Sequence, residues 1–265
     1  VPEWVAELVG SVAAGCREAG CALVGGETAE HPGLMELDAF DLSGCCIGVV
    51  ERADIIDGSA VQAGDAILGL AASGLHANGF SLIRALLTQW DVDLAEPYQA
   101  RLRRSLGDAE ADRSVADSPN EEMATLGEIL LTPTRIYARA VLAARAAVRT
   151  AGHDLHGLAH ITGGGLPGNA PRALPDGLTA RLDPGRWTMP SVMRLFGALG
   201  GMDDAELRAT FNGGLGMVAI VPPDAVPAAL KAFATEGVPA MLAGEVIVTE
   251  PDGTRYLEGA LEGAW

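Results

Sequence analysis

Ala66-Ile67-Leu68-Gly69-Leu70-Ala71-Ala72-Ser73-Gly74-Leu75-His76-Ala77-Asn78-Gly79-Phe80 reads as an apolar run, a polar turn and the opening of a helix. The uncharged run Ala66 to Ala71 has the length of a buried strand, and the turn-rich text from Asp54 to Asp65 marks its approach. Apolar residues at helical spacing then predict a helix from Phe80 to Trp90. Downstream the two kinds of segment alternate. Helices are predicted over Thr134 to Thr150 and Asp224 to Glu236, with shorter ones between Pro190 and Ala209. Strands are predicted near Leu155 to Ile161, over Leu215 to Val221 and over Ala240 to Val248. The pattern is that of an α/β domain built in α+β layers.

Upstream, Val5, Leu8, Val9, Val12 and Cys16 recur at helical spacing between Pro2 and Gly20. Two strand-like runs follow, Cys21 to Val24 and Leu42 to Val50. We therefore expect residues 1–57 to be the end of one domain and residues 58–265 a second one. A Val in first position and a helix beginning almost at once lead us to expect that the chain starts inside a longer protein. The span from Asp91 to Glu128 is acid-rich and weakly periodic, and is expected to be a surface excursion with some helix rather than core.

Composition narrows the function. The 35 acidic residues exceed the 18 basic ones, for a net charge of −17, so the surface repels nucleic acid and anionic lipid. A small anionic ligand is still admissible, because local donors override a screened field. The longest uncharged stretch, near Ala66 to Ile83, is interrupted by Gly, Ser, His and Asn and does not read as a membrane span. Cys16, Cys21, Cys45 and Cys46 form no CxxC pair and are read as reduced, Cys45 and Cys46 as strand filler. With no basic-then-apolar leader, the cytoplasm is the expected location.

Four glycine-rich segments carry the chemistry. Gly25-Gly26-Glu27-Thr28-Ala29-Glu30 follows an apolar run, so its backbone can approach a ligand while a carboxylate binds Mg2+ bridged to phosphate; a plain turn with solvated acids is the alternative. Ser73 to Gly79 precedes a helix whose N–H groups favour an anion, with His76 suited to proton transfer and Asn78 to hydrogen bonding; an ordinary polar cap is the alternative. His160-Ile161-Thr162-Gly163-Gly164-Gly165-Leu166-Pro167-Gly168-Asn169 reads as a phosphate cradle, because three consecutive glycines are costly to order without a close approach. A flexible surface loop is its alternative. Phe211-Asn212-Gly213-Gly214-Leu215-Gly216-Met217 opens a strand in the same manner and is equally a hairpin or bulge. There is no Walker A sequence, no strand-linked GxGxxG and no nucleophile elbow.

These four, with Leu131-Thr132-Pro133-Thr134-Arg135-Ile136-Tyr137, stand in an order that strongly resembles the aminoimidazole ribonucleotide synthetases, the phosphoribosylformylglycinamidine cyclo-ligases of purine biosynthesis. The resemblance runs through nearly the whole chain and is weakest from Asp91 to Glu128. It implies a two-domain subunit, a homodimer when full length, that binds ATP and Mg2+ and takes formylglycinamidine ribonucleotide as substrate. The family's acidic Asp-Gly-Val-Gly-Thr-Lys loop has no counterpart here. By resemblance, the formyl amide oxygen receives the γ-phosphoryl of ATP, after which a ring-closing nitrogen displaces phosphate. His76, Asn78 and His160 are the expected catalytic residues and Glu27 the metal ligand. Gly25, Gly26, Thr28, Thr162, Gly163, Gly164, Gly165, Asn169, Asn212, Gly213 and Gly214 are expected to hold ATP, phosphate or substrate. Another ATP-using member of the superfamily, such as a thiamine-monophosphate kinase, and a non-catalytic fragment are the alternatives.

Overall fold

The computed structural model describes residues 2–30, 33–36 and 39–261. They fall into two compact units, Val1–Ile55 and Ile56–Trp265.

The first unit opens with helix α1 (Pro2–Ala19), whose first turn carries Glu3 and whose last turn carries Arg17, each matched to the helix dipole. Gly20 ends it at φ 78°, with Gly20 N–H bonded to the Arg17 carbonyl at 3.2 Å and Cys21 N–H to the Cys16 carbonyl at 3.0 Å. That pair of bonds is a Schellman cap. The expected strands Cys21 to Val24 and Leu42 to Val50 are not formed. Val24, Ile47 and Val49 are 93%, 90% and 104% exposed, and Cys45 and Cys46 are exposed rather than strand filler. An apolar run becomes a strand only when a neighbouring chain segment accepts its ladder, and no strand is present among the described residues of this unit.

The second unit contains, in chain order, β1 (Ala66–Ala71), α2 (Phe80–Gln89), α3 (Tyr98–Leu106), α4 (Asp108–Asp117), α5 (Leu126–Leu130) and α6 (Ala138–Thr150). Then come β2 (Gly157–His160), α7 (Gly165–Asn169), β3 (Leu178–Leu182), α8 (Ser191–Gly200) and α9 (Asp204–Thr210). Last are β4 (Leu215–Val221), α10 (Val226–Thr235), β5 (Ala240–Val248) and β6 (Tyr256–Glu258). One sheet runs β2-β4-β1-β5-β3-β6. All its pairs are antiparallel except β3 with β6.

Strand β1 lies inside the sheet between β4 and β5, which explains why it reads as a continuous apolar run. Its alternation divides the core. Leu68 and Leu70 pack with Ala144, Val148 and Phe233 of α6 and α10 on one face, whereas Ile67 packs with Ala159, Leu166 and Val246 on the other. Burying each large side chain contributes roughly 1.5–3 kcal/mol.

A third core corrects the expected surface excursion. Tyr98, Leu102, Ala111 and Leu126 are fully buried and pack with Phe196 and Met193 of α8. Helices α3 and α4 bury only three of nine and two of ten residues among many charges, so the average hydrophobicity hid a real buried stripe. The Thr125–Glu128 capping box that starts α5 was a readable local signal. Helix α6 begins at Ala138 rather than Thr134, because the preceding residues are tied to the loop after β1. Strand β3 was also unanticipated. Its Arg181 pairs across the sheet with Glu245 of β5 at 2.6 Å, placing charge where an apolar pattern was sought.

Candidate functional site

Antiparallel pairing places the end of one strand beside the start of its neighbour. Ala71, which ends β1, lies opposite Leu215, which starts β4, and His160, which ends β2, lies opposite Met217. The turns at 72–79, 161–169 and 211–214 therefore gather at one end of the sheet. Backbone bonds join them: Ala72 N–H donates to the Gly214 carbonyl and Ile161 N–H to the Gly216 carbonyl, both at 2.9 Å.

Asn212 is fully buried beneath these turns. Its Nδ2 donates to the Gly74 carbonyl at 2.9 Å and its Oδ1 accepts from Gly214 N–H at 2.8 Å. Trp187 Nε1 donates to the Gly213 carbonyl at 2.9 Å. Asn212, Gly213 and Gly214 thus form the floor under the loops, with their polar groups spent on neighbours. The segment Leu131 to Tyr137 closes a further side, since Ser73 Oγ donates to the Pro133 carbonyl at 2.6 Å and Tyr137 Oη to the Ala71 carbonyl at 2.9 Å.

His76 sits at the centre of this junction in left-handed backbone, φ 58°, and is 4% exposed. Its Nε2 accepts from the backbone N–H groups of Ser73 at 3.1 Å and Arg135 at 3.5 Å. An imidazole accepting at Nε2 carries its proton on Nδ1, which has no partner among the described residues. Burial, followed by the nearness of His160 and Arg135, pushes its pKa down to about 4. His76 is therefore neutral at pH 7, unlike the neutral-pH proton donor its residue type suggested, because the ring is desolvated and its acceptor is occupied.

Tyr137 stands between the two histidines, its ring centroid 6.3 Å from that of His76 and 6.4 Å from that of His160. Burial pushes its phenol up, so it stays protonated and donating. The packing there requires Gly216, since a Cβ at that position would fall 2.1 Å from Tyr137 Oη and 2.4 Å from His76 Cε1. His160 is exposed at the end of β2, and Asn78 is half-buried just before Gly79, where α2 begins.

The loop after β2 is held from one side by Asn169, which is 1% exposed. Asn169 Nδ2 donates to the carbonyls of Thr162 and Gly163 at 3.2 Å each and of Gly165 at 2.8 Å, while its Oδ1 accepts from Thr162 Oγ1 at 3.2 Å. In a planar trans peptide the N–H points opposite to the C=O. Drawing the Thr162 and Gly163 carbonyls toward Asn169 therefore turns the N–H groups of Gly163 and Gly164 away from it. Both glycines are exposed, and Gly164 has φ 88°. Two adjacent N–H groups on an open loop are a receptor for an anionic oxygen. Gly165 is buried and serves packing, because a Cβ there would fall 1.9 Å from the Arg208 carbonyl oxygen.

In their own unit, Gly25, Gly26, Glu27 and Thr28 are exposed. No group of three potential metal ligands occurs among the described residues. Nor, among them, is any helix long and apolar enough to cross a membrane. Two clefts, of about 170 and 450 Å3, are lined by residues of α3, α4 and the segments beside them, including Glu121, Ser191 and Gln99. They share no lining residue with the glycine loops. Ser73, Arg135 and Tyr137 stand in motifs read from the sequence, where no role was given to them individually. Pro133, which delays α6, was the available signal that the segment before that helix is engaged elsewhere.

Residues 62–254 match the C-terminal domain of AIR synthase related proteins, and residues 1–50 match the N-terminal domain of the same proteins. The chain belongs to the AIR synthase related family. It is 49% identical over 240 residues to a phosphoribosylformylglycinamidine cyclo-ligase of Sorangium cellulosum (strain So ce56), covering 91% of this chain and 62% of that protein. It is 43% identical over 251 residues to one of Cyanothece sp. (strain PCC 7425 / ATCC 29141), covering 93% and 67%. The chain thus spans a little under two thirds of the length of the first of these relatives. A solved thiamine-monophosphate kinase from Stenotrophomonas maltophilia K279a overlays with TM-score 0.44 at 16% identity, over 79% of this chain and 54% of that one, a likeness too loose to carry weight. For the AIR synthase related family the two matched domains coincide in order with the motifs read from the sequence.

Proposed function

We propose that this chain forms the substrate-holding part of an ATP-dependent cyclo-ligase that closes formylglycinamidine ribonucleotide to aminoimidazole ribonucleotide, releasing ADP and phosphate in the cytoplasm. The observation that carries this reading is the outward-turned pair of N–H groups at Gly163 and Gly164, held by Asn169. Such a pair receives a phosphate oxygen of the ribonucleotide without any basic side chain. The names of the relatives support the choice of substrate.

In this reading the formyl oxygen attacks the γ-phosphorus of ATP and ADP leaves; a ring nitrogen then attacks the activated carbon and phosphate departs. The protein's share is orientation. Thr162 to Gly165 hold the substrate phosphate, Asn78 and neutral His76 shape the wall beside it, and His160 stands exposed at the rim. Glu27, with Gly25, Gly26 and Thr28, is assigned to the nucleotide and Mg2+. Glu27 would hold the Mg2+ there, and the ion would supply charge neutralisation to the transferring phosphoryl group. A second copy of the subunit is the expected partner.

Calorimetric titration with formylglycinamidine ribonucleotide, beside an assay of phosphate release from ATP, tests the reading. We expect saturable binding that Asn169→Ala weakens at least about tenfold, equivalent to 1.4 kcal/mol. Absence of binding by the unaltered chain, or equal binding by the variant, overturns it. Binding without phosphate release supports a substrate-holding module that lacks turnover.

A further inference from the structure

The Schellman cap of α1 folds one cysteine back over another. In this cap the residue just past the αL glycine folds back over the residue that begins the last helical turn, and a side-chain contact between the two positions is characteristic. Here both positions are cysteine: Cys21 N–H bonds to the Cys16 carbonyl, and Gly20 N–H to that of Arg17. Cys21 is exposed and Cys16 half-buried. Burial first, then the neighbouring Cys21 and Cys46 thiols, raise the pKa of the Cys16 thiol. No His, Asp or Glu joins them in a group able to hold a metal among the described residues.

We propose that Cys16 and Cys21 are a redox-reactive dithiol that closes to an intramolecular disulfide across the end of α1 when it meets a small-molecule disulfide. The steps balance as thiol–disulfide exchange. The exposed Cys21 loses its proton, and its thiolate attacks one sulfur of the oxidant, giving a mixed disulfide and expelling one thiolate. Cys16 then loses its proton, its thiolate attacks the Cys21 sulfur, and the second oxidant thiolate leaves. Two protons and two electrons pass from the protein to the oxidant, which becomes two thiols. Cys21 is the entry point because it is the accessible thiol, and Cys16 resolves because the cap holds it alongside. Raising the pH accelerates the second step, since the pKa of the half-buried Cys16 thiol is raised. The cap is already closed by backbone bonds, so little chain rearrangement accompanies the bond.

The test uses the full chain, oxidised glutathione and mass spectrometry. Cleavage after Arg17 together with cleavage after Glu7, Glu18 and Glu27 separates Cys16 from Cys21 and both from Cys45 and Cys46. Without reductant, the oxidised protein should yield peptides 8–17 and 19–27 joined as one species, lighter by two hydrogens than their sum. Cys16→Ser should instead accumulate a stable glutathione adduct on Cys21. Cys21→Ser should slow the oxidation of Cys16 at least tenfold. A persistent glutathione adduct on Cys21 in the unaltered protein, or pairing of Cys16 with Cys45 or Cys46, overturns the proposal. So does an unchanged rate at Cys16 in Cys21→Ser, a comparison that uses the folded unaltered chain as its standard.

Discussion

Acidification should destabilise the second unit through His76, and the amount follows from its surroundings. The ring is 4% exposed with its acceptor nitrogen occupied by two backbone donors, and burial, then the nearness of His160 and Arg135, holds its pKa at about 4 against an ordinary value of 6.5. The unfolded chain therefore binds a proton as pH falls below about 6.5, whereas the folded chain resists it down to about 4. Stability from this group is complete above pH 6.5 and is lost progressively across that window. At 1.36 kcal/mol per pK unit the loss is about 3 kcal/mol. The variant His76→Gln offers an acceptor at the same reach without a titrating ring. Urea unfolding of both proteins between pH 7.5 and 4 isolates the effect, because carboxylates titrating in that range act on both and cancel in the difference. The advantage of the wild type over the variant should shrink by about 3 kcal/mol on going to pH 4. A difference that stays constant with pH refutes the buried, neutral histidine.

Other consequences are equally direct. Gly216→Ala forces a methyl against Tyr137 Oη and His76 Cε1, and should cost about 1–3 kcal/mol in chemical unfolding while weakening ribonucleotide binding; a neutral substitution would mean that the wall is loosely packed. His156→Ala removes the partner held 2.7 Å from the fully buried Asp65, leaving its carboxylate with the Gln62 N–H alone. The expected loss is about 3–5 kcal/mol, with a smaller one in the double variant that also carries Asp65→Asn, and a loss under about 1 kcal/mol would show that water reaches the carboxylate. Asn169→Ala frees three carbonyls of the glycine loop, so exchange of the Gly165 amide, which is bonded to the Thr162 carbonyl, should accelerate at least tenfold; unchanged protection there would show that Asn169 does not order the loop.

Strands β1 and β4 were legible because they are buried on both faces and so carry nearly unbroken apolar text, and β5 because its apolar residues outnumber the single charge at Glu245. Strand β3 was not, since its Arg181 is neutralised only by a partner 64 residues away. Helices α3 to α5 failed the same reading for the opposite reason, their few buried residues being diluted by charge on the solvent side. Cys21 to Val24 and Leu42 to Val50 show the limit of apolar runs: they specify a tendency to pair, and pairing depends on a neighbour. In the site, glycine content marked the loops correctly as places of close approach. What composition could not convey was direction. Gly163 and Gly164 turn their donors outward and Gly214 turns inward because of Asn169 and Asn212, residues whose side chains reveal their targets only in the fold.

The helical excursion leaves the sheet after Gly79 and returns at Thr132 to Tyr137, where its returning end is stitched to the end of β1 and the loop after it, the same segment from which it departs. It is thus a handle riveted at its base. Exposed positions at the far end, such as Asp108 and Asp112, can change without sliding the rivets, whereas Ala111, Arg113 and Ser114 are held against α3 and α8. Any change at Pro133, Arg135 or Tyr137, by contrast, is felt at once in the wall around His76.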